Sequence, residues 1–368
     1  MGEQSIKKQK EPLVHITRRT SISWWKSLLI RLAAIAVGFL VSGLLMLAIT
    51  GKNPIDVYVS MYKGSFGTKG KIWVMLQNLF LLLGVAVAVT PAFKMKFWNI
   101  GAEGQVLVGV LSSALCAYYV KDSIPEPLLL VVMLLASIVS GAVWAVIPGL
   151  FKAKFNTNET LFTLMMNYIA IQLVSFAIKS IVTSGSGVFP LLNDGHLPRI
   201  YNQYLFNIII IAVITVFMFI YLKYMKHGYE IAVVGESHNT ARYIGINVPK
   251  VIIRTTLLSG AICGIIGFIL IAGVGNNLST TVVQGRGFTA IIVSWMAKFN
   301  PLIMVLTSFL VVFIQRGMAQ VSMDFRITSD ALQSIITGLI FFFIIGCEFF
   351  INYKINFRSS GKKEAKKQ

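Results

Sequence analysis

Polar and charged side chains set inside apolar runs are where this chain could do chemistry, because burying them is costly unless they line a wet path or find partners. The block Phe97-Trp98-Asn99-Ile100-Gly101-Ala102-Glu103-Gly104-Gln105 interrupts two hydrophobic runs. Gly101 and Gly104 loosen a helix, and the freed backbone groups with Asn99, Glu103 and Gln105 fit the wall of a translocation path. A second reading stands beside it: a cytoplasmic turn whose Glu103 caps the following helix and complements its dipole. Farther along, Gln284-Gly285-Arg286-Gly287 precedes another broken span. Paired interruptions in two halves of a chain point to a central transporter site.

A hydrophilic segment, 223–250, lies between apolar runs and reads KYMKHGYEIAVVGESHNTARYIGINVPK. Residues 232–234 and 243–246 are apolar, Asn239 suits an N-cap, Gly245 a stop, and Pro249 blocks continuation into the next span. This predicts a short amphipathic helix on the cytoplasmic face, which either lies in the membrane interface or docks into a partner. Beyond it, Ser259-Gly260, Gly264 and Gly267 put small residues on nearly one helical face, a signature of close helix packing rather than of any activity.

Catalytic patterns are missing from the sequence. Lys52, Lys71 and Lys362 follow glycines but lack the rest of a phosphate-binding loop. His15, His196, His227 and His238 are scattered, and no cysteine or histidine cluster has metal-ligand spacing. Gly235-Glu236-Ser237 resembles a nucleophile fragment only superficially, since His238 beside it cannot take up the geometry of a base. No catalytic residue and no metal ligand is therefore assigned. An ion-coupled transporter is the competing class; only Glu103 and Glu348 lie in or near apolar runs, and neither has an obvious basic partner in the sequence.

The elements that must hold these residues are membrane spans. With 56% hydrophobic and 13% charged residues, the 368-residue chain does not compose a water-soluble globule. Apolar runs cover 28–49, 72–90, 100–120, 128–150, 160–182, 205–224, 251–272, 288–299, 302–320 and 331–352. The first reaches about 33 Å at about 1.5 Å per residue, enough to cross a hydrocarbon core, and follows too long a basic tail to be an export signal. The run before Lys298 is short enough to be re-entrant, so eight to ten crossings are expected.

The fold class is thus an all-α polytopic membrane protein. Lys and Arg concentrate where both termini would be cytoplasmic, the arrangement the positive-inside rule favours. Three regions follow: a basic tail over 1–27, a permease domain over 28–352 with the cytoplasmic segment 223–250, and a second basic tail over 353–368. The net charge of +19 belongs to these ends and loops, next to lipid headgroups, and neither tail interleaves aromatics as a nucleic-acid binder would. Cys116, Cys263 and Cys347 lie far apart in apolar runs and read as buried small hydrophobes.

The motifs WNIGAEGQ, NETLFTLMMNYIA (158–170), GESHNTARYIGINVPK (235–250) with the following LSGAICGIIG, and GRGFTAIIVSWMAKFNP (285–301) together resemble the permease subunits of ABC importers for nucleosides and simple sugars. The resemblance runs over roughly 70–350. Its NIGAEGQ form is similar to the nucleoside branch; the ribose permeases carry a GGIDLSVG-type sequence there, which this chain lacks. Ser294-Trp295-Met296 and Lys298 depart from the small residues and Leu-Gly step typical before Asn-Pro.

The resemblance implies a cell-membrane permease with no cofactor of its own. ATP would be used by a cytoplasmic ATPase subunit, a separate external binding protein would deliver the solute, and a second permease, a paralogue or another copy, would complete the pathway. It also implies that Gly235, Glu236, Asn239, Ala241, Gly245 and Ile246 belong to a coupling helix seated in the ATPase, and that Asn99, Glu103, Gln105 and Asn167 lie near the pathway. The solute class is a nucleoside, with ribose or another sugar as the alternative.

Overall fold

The computed structural model describes residues 14–19, 22–182, 189–190, 192, 194–275, 277–326 and 330–357. The basic runs at 7–10 and 362–367 lie outside them. The chain divides into two compact units, residues 1–64 with 317–368 and residues 65–316.

In the first unit, α1 (Trp24–Thr50) packs against α13 (Asp330–Asn352). Arg31 Nη2 meets Glu348 Oε1 at 2.6 Å, so Glu348 does have a basic partner, brought to it by tertiary packing. Below these helices, β1 (Val14–Arg18) and β2 (Tyr353–Phe357) pair antiparallel, with Ile16 opposite Ile355. The backbone N–H of Arg19 extends the join to Asn352 O at 2.8 Å. Sequence periodicity did not point to this small sheet, because each tail is polar and finds its partner only across the length of the chain. Pro54 opens the short helix α2 (Pro54–Phe66); the Tyr58 hydroxyl donates to Phe39 O, and Ser60 Oγ lies 2.5 Å from Asp324 Oδ2.

The second unit is built from α3 (Lys69–Lys94), α4 (Ala102–Val120), α5 (Glu126–Phe155), α6 (Glu159–Ile181), α7 (Leu205–Tyr224), α8 (Lys226–Glu236), α9 (His238–Tyr243), α10 (Val248–Ile269) with a π-helical turn at Leu270–Gly275, and α11 (Arg286–Met296). It also takes in the first part of α12 (Pro301–Asp324). Helices α3 and α10 are buried on most faces, whereas α5 and α6 keep wide apolar faces exposed, as lipid-facing helices do. Helix α10 crosses α5 closely: a side chain at Gly260 or Gly264 would strike the α5 backbone at Gly141 or Ser137, and one at Gly267 would meet α4 at Val106 and Val110. Without a hydrophobic force between helices in lipid, such backbone approach is what joins them.

Among the described residues, nine helices are long and apolar enough to span a membrane. The run expected at 288–299 is instead α11, whose 11 residues reach only about 16 Å. Because α1 and α13 are antiparallel neighbours whose outer ends pair through β1 and β2, the chain returns to the side it started from, which needs an even number of crossings.

Candidate functional site

The two polar interruptions meet. Glu103, in the first turn of α4, accepts the backbone N–H of Gly285 on Oε1 at 2.9 Å and that of Gly287 on Oε2 at 2.7 Å. Its carboxylate therefore caps the N-terminus of α11, not that of its own helix, and satisfies donors that no helical carbonyl reaches. Gln284 and Gly285 make the turn possible with φ of 57° and 69°, a left-handed pair that leads straight into the helix. A Cβ at Gly287 would strike the Glu103 backbone, so the approach depends on glycine there.

The block before α4 turns back into the helical layer, which replaces the reading of it as a surface turn. Asn99 Nδ2 lies 3.4 Å from Ser259 Oγ, and Asn99 Oδ1 accepts from Gly101 N at 3.0 Å and Gln105 Nε2 at 3.1 Å. Asn167 bridges the same segment from α6: its Oδ1 accepts from Gly104 N at 2.8 Å and its Nδ2 donates to Ile100 O at 2.9 Å. Ile100 N donates to Thr163 Oγ1 at 3.2 Å. Ser259 and Asn167 sit about 16 and 12 Å along α10 and α6, so this hub lies well inside the bundle. Asn99, Gln105 and Asn167 are each at most 3% exposed, and their hydrogen bonds go to protein groups.

Helix α11 continues alongside α3. Arg286 Nη2 donates to Asn78 Oδ1 at 2.8 Å, Ser294 Oγ to Ala86 O at 3.0 Å, and Phe299 stacks on Phe93 with centroids 6.3 Å apart. Trp295, one of the residues that departs from the family pattern, stacks on Trp98 of the first interruption at 5.3 Å. Thr163 and Asn78 escaped the sequence reading, and Ser259 and Ser294 entered it only as a packing residue and as a departure from the family pattern. Only Thr163 carried a signal, its i,i+4 spacing from Asn167.

The hydrophilic segment forms two helices in place of the single one expected. Ser237, extended at φ −158°, is the N-cap of α9, and its Oγ accepts from Thr240 N at 3.3 Å; Asn239, expected in that role, lies inside the helix. Gly245 ends the segment with φ 84°, and Pro249 occupies the first turn of α10, where a missing N–H costs nothing. The backbone of Gly235 lies against Lys94 and Met95 at the end of α3, and Ala241 is buried. Glu236, Asn239 and Gly245 are exposed, Ile246 half-buried. Tyr243 is 94% exposed at the tip, with exposed Ile244 next to it. Glu230 and Arg254 tie α8 to α10 through a 2.7 Å ion pair, and that guanidinium holds the Glu230 carboxyl below its ordinary range.

This is a polytopic membrane permease whose two broken segments converge inside the bundle and whose polar segment is fastened to its most buried helices. Residues 72–345 match the family described as branched-chain amino acid transport system / permease component, and the chain belongs to that family. It is 28% identical to the glucose ABC transporter permease protein of Haloferax volcanii, over 92% of each chain. It is equally 28% identical to the guanosine ABC transporter permease protein of Bacillus subtilis, over 86% of this chain and 92% of that one. The nucleoside ABC transporter permease protein of Lactococcus lactis is also 28% identical, over 87% of this chain and 91% of that one. No solved structure matches the chain. The protein is thus a multi-pass permease subunit of an ABC transporter rather than an enzyme, and no cluster of metal ligands occurs among the described residues.

Proposed function

We propose that this chain forms the translocation pathway of an ATP-driven importer for nucleosides. Two of the relatives above are named for nucleosides or guanosine and one for glucose, which keeps a sugar as the second reading. ATP is bound by a separate cytoplasmic ATPase subunit, an external binding protein supplies the solute, and a second permease, the same chain or a paralogue, closes the pathway.

The observation that carries the mechanism is the way the 226–246 segment is built. Its exposed apolar tip at Tyr243 and Ile244 suits insertion into a groove of the ATPase, while Gly235 and the Glu230–Arg254 pair bind its base to α3 and α10. A push on the tip therefore reaches α3, which leads into the first interruption, and α10, which carries Ser259 of the hub. Gly235 and Ala241 fix the base of this lever; Glu236, Asn239, Gly245 and Ile246 form its surface. On the pathway side, Asn99, Glu103, Gln105 and Asn167 hold the interrupted segments in one arrangement, and switching access repacks them.

Uptake of labelled uridine, guanosine and glucose by the host with and without this gene tests the reading. Loss of a nucleoside uptake that needs ATP and survives collapse of the proton gradient is the expected result. Loss of an uptake that follows the gradient overturns it.

A further inference from the structure

A cavity of about 370 Å³ opens beside the second interruption, between α3, the π-helical turn after α10 and the stretch leading into α11. Tyr204, at the start of α7, stands on its rim, whereas the coupling segment follows the end of α7; the cavity therefore faces the opposite side of the bundle. Its volume falls within the range that holds drug-sized solutes, roughly 300–1,000 Å³.

Its chemistry selects what fits. Among the described residues Arg286 is the single charged one lining it, and its two terminal nitrogens are held by Asn78 Oδ1 at 2.8 Å, Gln284 Oε1 at 3.0 Å and the carbonyls of Val282 and Val283 at 3.4 and 3.2 Å. Glu103 binds the N–H groups on either side of Arg286, so its negative charge lies behind this floor and balances it without entering the cavity. A cation meets a fixed guanidinium here, and an anion meets one whose charge is already compensated and whose terminal N–H groups are engaged. Asn277 also lines the cavity, although its Oδ1 is buried from it and has no hydrogen-bond partner among the described residues. Ser279 and Thr281 add hydroxyls, and Val74, Leu81 and Leu270 supply an apolar wall.

We infer that this cavity is a binding site within the single permease chain for a neutral solute of nucleoside or sugar size, one that carries hydroxyl or N–H donors around a flat or compact body. The inference rests on the importer reading above and locates the solute within this chain. Thr281 and Ser279 contact its hydroxyls, Asn277 adds a polar wall, and Arg286 shapes the floor and excludes cations.

The test uses whole host cells carrying the complete transporter. Wild-type cells are first scored for uptake of labelled uridine, guanosine and glucose. Thr281→Cys and Ser279→Cys are then introduced singly, and their rate of labelling by a membrane-impermeant maleimide is measured with and without a millimolar excess of whichever of these solutes the wild type imports. Lys69→Cys, at the exposed start of α3, is the control. Labelling at both cavity positions slows about threefold or more, as occupancy at twice the dissociation constant requires, and the control does not change. Unchanged labelling at both cavity positions by a solute that the wild type imports overturns the site and leaves the importer reading standing. If the wild type imports none of the three, both fall together.

Discussion

Glu103 carries more than any other side chain of the hub, because one carboxylate serves two backbone donors of another helix in a place where water does not compete. Hydrogen bonds to a charged group of this kind contribute about 1.5–3 kcal/mol each, and a donor left buried without a partner adds its own desolvation cost. Glu103→Gln keeps the size but turns an N–H₂ toward an N–H, so uptake falls about tenfold or more while the chain still reaches the membrane. Glu103→Asp, shortened by one methylene, loses one of the two bonds and lies in between; radiolabelled uptake normalised to membrane content of the chain measures both. Asn167→Leu strips Gly104 N of its acceptor and Ile100 O of its donor at once. Its cost, about 2–4 kcal/mol from two broken buried bonds, appears as a lower unfolding temperature in detergent and as loss of uptake. Uptake undiminished by Asn99→Leu and Asn167→Leu together excludes the hub from the pathway.

At the scale of elements, the joint between the 226–246 segment and the bundle is the part that can be loosened without touching the hub. Arg254 favours the charged form of Glu230, so this carboxyl holds its proton less readily in the folded chain than in the unfolded one. The pair's contribution is complete above the ordinary carboxyl value of 4.5 and is lost as pH falls through the lowered folded value. Its size is about 0.5–1 kcal/mol, given its partial exposure. Thermal unfolding of the wild type thus weakens more between pH 7 and pH 3.5 than that of Glu230→Gln, which lacks the pair throughout. Crossing helices make a sharper case: Gly264→Val forces α5 and α10 apart along their tightest approach, and a loss of about 1–3 kcal/mol or failure to accumulate in the membrane is the expected outcome. The hydrophobic periodicity showed these helices but not their contacts, because a small-residue face marks that something packs closely and not which helix does.

For the molecule as a whole, the pairing of β1 with β2 sets the start of α1 beside the end of α13, and with the positive-inside bias we propose that both lie on the cytoplasmic side. Reporter tags at each end are therefore protected from external protease in intact cells, and both become sensitive after permeabilisation. Protection of one and cleavage of the other contradicts the topology. On the same proposal the 226–246 segment shares that side, so Tyr243→Cys resists an impermeant thiol reagent from outside and reacts in inverted vesicles.

Composition, apolar run lengths and charge distribution alone determined that this chain is a multi-span membrane protein with a polar segment between spans, because the bilayer imposes one simple constraint on every residue that crosses it. Motif spacing went further and marked 97–105 and 284–287 as breaks. Tertiary structure alone decided that Glu103 belongs to α11, that Arg286 faces Asn78, that Arg31 answers Glu348 and that the two tails form a sheet. Each of these joins residues more than 180 positions apart or depends on which backbone donors a break leaves free. Local pattern carries no information on such pairings; they follow from which helices can approach at their glycines and which buried polar groups must then satisfy one another.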